Sequence, residues 1–133
     1  MRKPEVISDL VDKYGDKILP VRLDVTKPEE IVAAFKKAEE KFGRIDVVFN
    51  NAGYTLLGEI ESTPDDYGRN VFETNFWGTL NVAREAVRFF REINKPVGGR
   101  LITITSIVAT VTSPGLGFYG AAKHGKADSE LKN

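Results

Sequence analysis

The chain has 133 residues, with 19 lysines and arginines against 19 aspartates and glutamates, no cysteine, and one histidine, His124. That length suits a single domain burying roughly two thirds of its unfolded surface. The charge balance, with no basic run interleaved with aromatics, argues against a nucleic-acid partner. Without cysteine there is neither a disulfide framework nor a thiolate metal site, and one histidine cannot hold a metal alone, so no metal is expected. Met1 leads straight into Arg-Lys-Pro-Glu, and no run approaches the ~18 apolar residues of a membrane span, so a soluble cytoplasmic protein without a membrane partner is expected.

Ile18 to Leu23 form a short apolar run closed by Asp24, which predicts a buried strand ending at a polar loop. Thr26 then opens a helix: Thr26-x-x-Glu29 has capping-box spacing, Pro28 suits the first turn, and Ile31, Phe35, Ala38 and Phe42 recur at helical intervals before Gly43. Ile45 to Phe49 is a second apolar strand, running into Asn50-Asn51-Ala52-Gly53, residue types that suit a tight loop. Thr63-Pro64-Asp65-Asp66 supplies a further cap, and Val82, Ala86, Phe89 and Ile93 follow at helical spacing, which fits one broken helix or two. Leu101 to Thr105 is a third strand; after it Ser106 begins a loop through Pro114, Gly115 and Gly117, and a last helix starts near Phe118. Alternating strands and helices predict an α/β fold with a parallel sheet.

Tyr119 and Lys123, four residues apart, share one face of that last helix. A free phenol, with a pKa of about 10, exchanges protons poorly near neutral pH, and an adjacent ammonium stabilises the phenolate. Tyr-x-x-x-Lys alone is a weak motif that arises by chance. Its context adds weight, because Ser106 stands thirteen residues before Tyr119 and just past a strand, where open α/β sheets place their ligands.

With Asn75 in Thr74-Asn75-Phe76-Trp77-Gly78 and the Asn50-Asn51-Ala52-Gly53 loop, the chain resembles the short-chain dehydrogenase/reductase family from about Leu19 to Lys123, with the elements in the family's order. The resemblance implies a Rossmann-like parallel sheet with flanking helices and hydride transfer between NADP or NAD and a small carbonyl or secondary-alcohol substrate. By it Tyr119 would exchange the proton with the substrate oxygen, and Ser106 would hydrogen-bond the same oxygen. Lys123 would stabilise the phenolate and hold the nicotinamide ribose, and Asn75 would anchor a water of the proton relay. Asp24 and Val25 would meet the adenine, while Asn50, Ala52 and Gly53 would pass under the cofactor, with Tyr119 and Lys123 completing its site. A homo-oligomer also fits the family.

Each assignment has a plainer alternative. Asp24 could be a helix-entry residue, Asn50, Ala52 and Gly53 a structural turn, and Asn75 a helix-break residue bonded to its own backbone. Trp77 reads as core rather than substrate contact, and His124 as an exposed or packed imidazole facing away from Lys123.

Against the family pattern the chain reads as one partial domain, short at both ends. Seventeen residues precede Ile18, too few for the βαβ unit of about 30 residues that carries the family's Gly-rich turn. Nothing replaces that turn, so NAD(P)(H) binding is expected to be weak. Arg2 and Lys3 fall where NADP-preferring relatives carry a basic residue, which tilts the expectation to NADP. After Lys123 the run Gly125-Lys126-Ala127-Asp128-Ser129-Glu130 is polar where the family is apolar. In the family order 3-2-1-4-5 the strand at Ile18 to Leu23 would lie three spacings, roughly 14 Å, from that at Ile45 to Phe49. Direct pairing of the two, with the intervening helix as crossover, is therefore expected. A catalytically inactive fragment or a non-catalytic interaction module stands as the alternative function.

Overall fold

In the computed structural model, which describes residues 2–128, two short strands form a parallel sheet. β1 (Val47–Asn50) pairs with β2 (Arg100–Thr103) in the register Val47 to Arg100 through Asn50 to Thr103. The connection between them is helical almost throughout. α3 (Asp65–Phe72) passes through a π-helical turn at Glu73–Gly78 into α4 (Thr79–Arg88), which closes in a second π turn at Phe89–Ile93. The strands pair in parallel as the alternation of strands and helices predicts, and of the two forms that the apolar spacing fits the chain takes the one broken helix.

α2 (Pro28–Phe42) begins with Pro28 and ends at Gly43, whose φ of 77° is the left-handed conformation that glycine adopts without penalty. It buries Ile31 and Phe35 against α4, with the Phe35 and Phe89 rings 5.7 Å apart. Val25, Ile31, Phe35, Val82, Ala86, Phe89 and Phe90 make the core, with Val48 and Leu101 packed onto it from the sheet. Val47, Phe49 and Ile102 point the other way and are exposed, so among the described residues helices cover the sheet on one face only. The wholly buried Asn94 fixes how the strands begin. Its Nδ2 donates to the carbonyls of Ile45 (2.7 Å) and Gly98 (2.6 Å), and its Oδ1 accepts from the Ile45 N–H (3.1 Å).

The N-terminal third departs from expectation. α1 (Ser8–Tyr14), which the apolar pattern did not announce, buries no residue. Residues 18–23 form no strand, and the expected pairing with β1 is absent. Side chains of α2 take part of the ladder's role instead: Lys41 Nζ donates to the Ile18 carbonyl (3.0 Å), and Glu30 Oε2 accepts from the Asp24 N–H (2.8 Å). Those helix side chains, with Leu23 packed on the core, hold the segment against α2 in place of a neighbouring strand.

The two predicted caps are also absent as caps. Lys27 precedes α2 and Pro64 precedes α3, neither with a side-chain cap, because Thr26 Oγ1 donates to Asp24 (2.9 Å) and Thr63 Oγ1 to the Glu59 carbonyl (2.7 Å). After β2 a short turn, Ile107–Ala109, precedes α5 (Gly117–Asp128). The end of the polar run, from Ser129 onward, lies outside the described residues. No described helix is long and apolar enough to cross a membrane, and the described residues hold no metal-binding group of three His, Cys, Asp or Glu.

Candidate active site at the carboxyl edge of the sheet

β1 and β2 end together. The N–H of Ile104, just past β2, donates to the Asn50 carbonyl (3.1 Å), and the Ile104 carbonyl in turn accepts from two lysines of α5. Lys123 Nζ lies 3.2 Å and Lys126 Nζ 2.7 Å from that oxygen, and both residues are buried. Lysines are rarely buried unless partnered, so this carbonyl is a strong anchor of α5 on the sheet edge. Lys123 Nζ also stands 5.7 Å from the centre of the Tyr119 ring, within cation–π range. The helical spacing therefore does bring the ammonium to the phenol.

Asn75 sits in the middle of the first π turn and is wholly buried. Its amide reads the backbone of the loop after β1: Nδ2 donates to the Tyr54 carbonyl (2.8 Å), and Oδ1 accepts from the Tyr54 N–H (3.0 Å). It bonds the far loop and not its own backbone, so the helix-break alternative fails. Gly53 lies between Asn75 and Lys123. A Cβ there would come within 2.8 Å of Asn75 Oδ1 and 3.4 Å of Lys123 Nζ, so a side chain at this position would push directly into the pair. Asn75, Gly53, Lys123 and Tyr119 thus share one small region.

Ser106 follows β2 by three residues and heads the turn that packs on α5, so the same edge carries it. Tyr119 is placed by its neighbours. The Phe118 ring lies so close over Gly68 of α3 that a Cβ there would be 2.7 Å from it, and the Gly115 carbonyl accepts from the Gly58 N–H (2.8 Å).

The other named residues act at one remove. Asn50 is buried and spends its Nδ2 on the Thr79 carbonyl (3.0 Å), tying β1 to α4. Ala52 is half-buried against the core. Val25 is core, pressed on Gly78 of the π turn that carries Asn75. Asp24 accepts from the Thr26 N–H (3.0 Å) and hydroxyl; the backbone bond, aided by the hydroxyl and by Arg2 and Lys27, holds its carboxyl below the usual carboxylate range despite partial burial.

Trp77, expected in the core, is 46% exposed and lies edge-on to Phe76. It borders a cavity of about 380 Å³ between α3 and Phe118; a larger one of about 810 Å³ runs between α4 and the outer edge of β2. Neither is lined by Ser106, Tyr119 or Lys123, which sit at the open edge beside exposed Gly53.

Sequence reasoning missed Thr79 and the Ile104 carbonyl. Thr79 Oγ1 donates to the Asn75 carbonyl (2.9 Å), a hydroxyl bond to the residue four back that occupies an acceptor of the distorted turn. The spacing of Asn75 and Thr79 was the available signal. Ile104 is recognised only through its backbone, which leaves no trace in residue type.

Beyond the carboxyl edge of an open parallel sheet, where α/β folds take their ligands, a lysine, a tyrosine and an asparagine lie together, with a serine at the head of the turn that follows β2. The short chain dehydrogenase family matches residues 2–128, and the chain belongs to it. An uncharacterised oxidoreductase of Schizosaccharomyces pombe is 41% identical over 115 residues, 86% of this chain and 39% of that protein. The oxidoreductase calM of Penicillium decumbens is 41% identical over 92% of this chain and 41% of its own. Among solved structures, a short-chain dehydrogenase from Streptomyces avermitilis has a TM-score of 0.84 at 30% identity, covering 94% of this chain and 45% of that one. ElxO with NADP bound has a TM-score of 0.81 at 31% identity, covering 92% and 49%. The chain therefore spans less than half the length of these relatives.

Proposed function

We propose that this chain carries the proton-transfer site of an oxidoreductase that interconverts a carbonyl compound and a secondary alcohol with NADP or NAD. The burial of the Lys123 ammonium between the Tyr119 ring and the Gly53–Asn75 contact carries the reading, because an incidental surface pair would leave that charge in water. In this reading the Tyr119 hydroxyl exchanges a proton with the substrate oxygen, and Ser106 donates a hydrogen bond to the same atom. Lys123 stabilises the phenolate and offers an N–H to a ribose hydroxyl. Asn75, with one further N–H and one further lone pair beyond those spent on Tyr54, holds a relay water. The dinucleotide, when bound, supplies or accepts the hydride. ElxO, solved with NADP, supports NADP as the first cofactor to test.

The fit of these residues is to the ribose end of a dinucleotide. Gly53, with no side chain, leaves Asn75 and Lys123 the room to lie against its backbone. Gly115 and Gly117 are the glycine pair that precedes a helix after a strand, but they pack against Leu57, Gly58 and Ile60. No strand, glycine-rich turn and helix N-terminus among the described residues forms a pyrophosphate cradle. The same observation, with the uncovered sheet face, favours a non-catalytic module as the second reading.

Calorimetry with NADPH and NADH separates the parts of the proposal. The 133-residue chain should bind more weakly than micromolar, and the same chain completed at both ends with a relative's segments, glycine turn included, should bind tightly and reduce ketones. Micromolar one-site binding by the chain alone would contradict the pyrophosphate argument, and an extended protein that binds cofactor but turns over no carbonyl or alcohol would favour the non-catalytic module.

A further inference from the structure

We propose that His124 is a positioning residue for Ser106. The inference rests on the reading of Ser106 as the group that hydrogen-bonds the substrate oxygen. His124 Nδ1 lies 2.6 Å from the carbonyl oxygen of Ala109. A carbonyl only accepts, so Nδ1 carries the hydrogen and donates. Ala109 is the buried residue of the Ile107–Ala109 turn, and its own N–H donates back to the Ser106 carbonyl at 3.0 Å. The serine's backbone is therefore tied through one residue to the helix that bears Tyr119 and Lys123.

The tie has a matching contact on the same helix face. Gly120 precedes His124 by one turn, and a Cβ at Gly120 would lie 3.5 Å from the Val108 carbonyl, so the turn rests on the helix surface made by these two residues. That face adjoins the one carrying Tyr119 and Lys123, each a single residue earlier. Ala109 packs the turn on α5, and the residues around it add little to that hold. Ile107 is 76% and Val111 58% exposed, and the Thr110 hydroxyl bonds only within the turn, to the Ile107 carbonyl. The His124 bond is thus the polar link from α5 to the turn after Ser106, as the two lysines are to the Ile104 carbonyl before it, and Ser106 is held between the two.

Imidazole geometry makes the test specific. Nδ1 lies two bonds beyond Cβ, the position of an asparagine Nδ2, whereas a glutamine Nε2 lies one bond further out. In the 133-residue chain, His124→Ala and His124→Gln should speed amide exchange at Ala109 roughly five- to tenfold, the weight of one ordinary hydrogen bond, and His124→Asn should restore protection.

In a turnover-competent extended protein, His124→Ala should lower kcat on the order of tenfold, below the ~10²-fold cost of a 1 Å misplacement, with the cofactor KM unchanged. Asparagine should rescue kcat and glutamine should not. In a Ser106→Ala background His124→Ala should cost nothing further. Unchanged Ala109 exchange and unchanged kcat in His124→Ala, with Tyr119→Phe still inactive, would overturn the positioning role and leave the catalytic reading intact. Full turnover by both Ser106→Ala and Tyr119→Phe would remove the catalytic reading, and this inference with it.

Discussion

The carboxyl edge of the sheet and the entry to α2 are both places where side chains hold backbone groups, yet they are built over different distances in sequence. At the edge, Lys123 reaches the carbonyl of Ile104 across 19 residues, Asn75 reaches Tyr54 across 21, and Asn50 reaches Thr79 across 29. At the entry to α2, Asp24 holds Thr26 across 2, Glu30 holds the Asp24 N–H across 6, and Arg22 pairs with Glu30 across 8. Each of these long-range bonds forms only when two separate segments have met, so together they report the assembly of β1, α4, β2 and α5 and hold their groups in one place. Local bonds close a loop whatever lies beyond it. The first arrangement can preorganise a site, whereas the second secures the start of a helix.

If that contrast is right, the largest effects come from the edge. Tyr119→Phe, in a turnover-competent protein, should lower kcat by about 10²- to 10⁴-fold, the usual contribution of a general acid or base, with cofactor affinity nearly unchanged. A near-normal kcat would take the tyrosine out of the mechanism and reduce the edge to a structural knot. Lys123→Met should damage both turnover and cofactor affinity, because the ammonium faces both the phenol ring and the Gly53 loop.

Next in size are changes that break the edge without touching a reacting group. Gly53→Ala places a methyl 2.8 Å from Asn75 Oδ1, and Asn75 is locked by two bonds to Tyr54, so the neighbour has little room to give. Overpacking of this kind costs typically 1–3 kcal/mol. Asn75→Ala removes two part-buried bonds to the backbone of a residue that is itself 42% exposed, so the loss should fall near 1 kcal/mol. Urea denaturation of the 133-residue chain measures both, with Gly53→Ala expected to be the more damaging. The reverse order would mean that the loop moves aside freely and the edge is not preorganised.

Legibility followed the same division. β1, β2, α2, the broken helix and α5 were readable because apolar periodicity, Pro28 and Gly43 act within each segment. Tyr119 and Lys123 were readable because helix spacing alone puts them together. The run from Ile18 to Leu23 misled because its apolar pattern describes a strand, while a strand exists only where a neighbour supplies a ladder. Thr26 and Thr63 misled differently. Each hydroxyl has several acceptors within reach, and the competition between a helix cap and a nearby carboxylate or carbonyl is settled by backbone geometry that residue type does not encode. Trp77 carries a core-like ring, but the turn of the π segment carries it out to the surface between α3 and Phe118. The tie from His124 to Ala109 needed the turn's position, which no spacing rule supplies.

The smallest expected effect is also the one with a pH signature. Asp24 has its carboxyl held below the ordinary carboxylate range, first by the Thr26 N–H and then by the Thr26 hydroxyl and the positive charges of Arg2 and Lys27. A group whose folded-state value is depressed binds protons more weakly in the folded chain, so it adds stability above its unfolded value of about 3.9 and loses it as the pH falls through the lower folded value. Asp24→Asn should therefore destabilise the chain at neutral pH by only a few tenths of a kcal/mol, because the loop is partly exposed and the bonds are local. The difference between variant and parent should shrink towards zero as the pH falls through the folded-state value. Denaturation midpoints compared at pH 7 and in acid test this directly. A loss at neutral pH as large as that of Gly53→Ala would show that the Asp24 loop, pressed on the π turn through Val25 and Gly78, is part of the same tertiary assembly as the edge, and the division between the two regions would have to be redrawn.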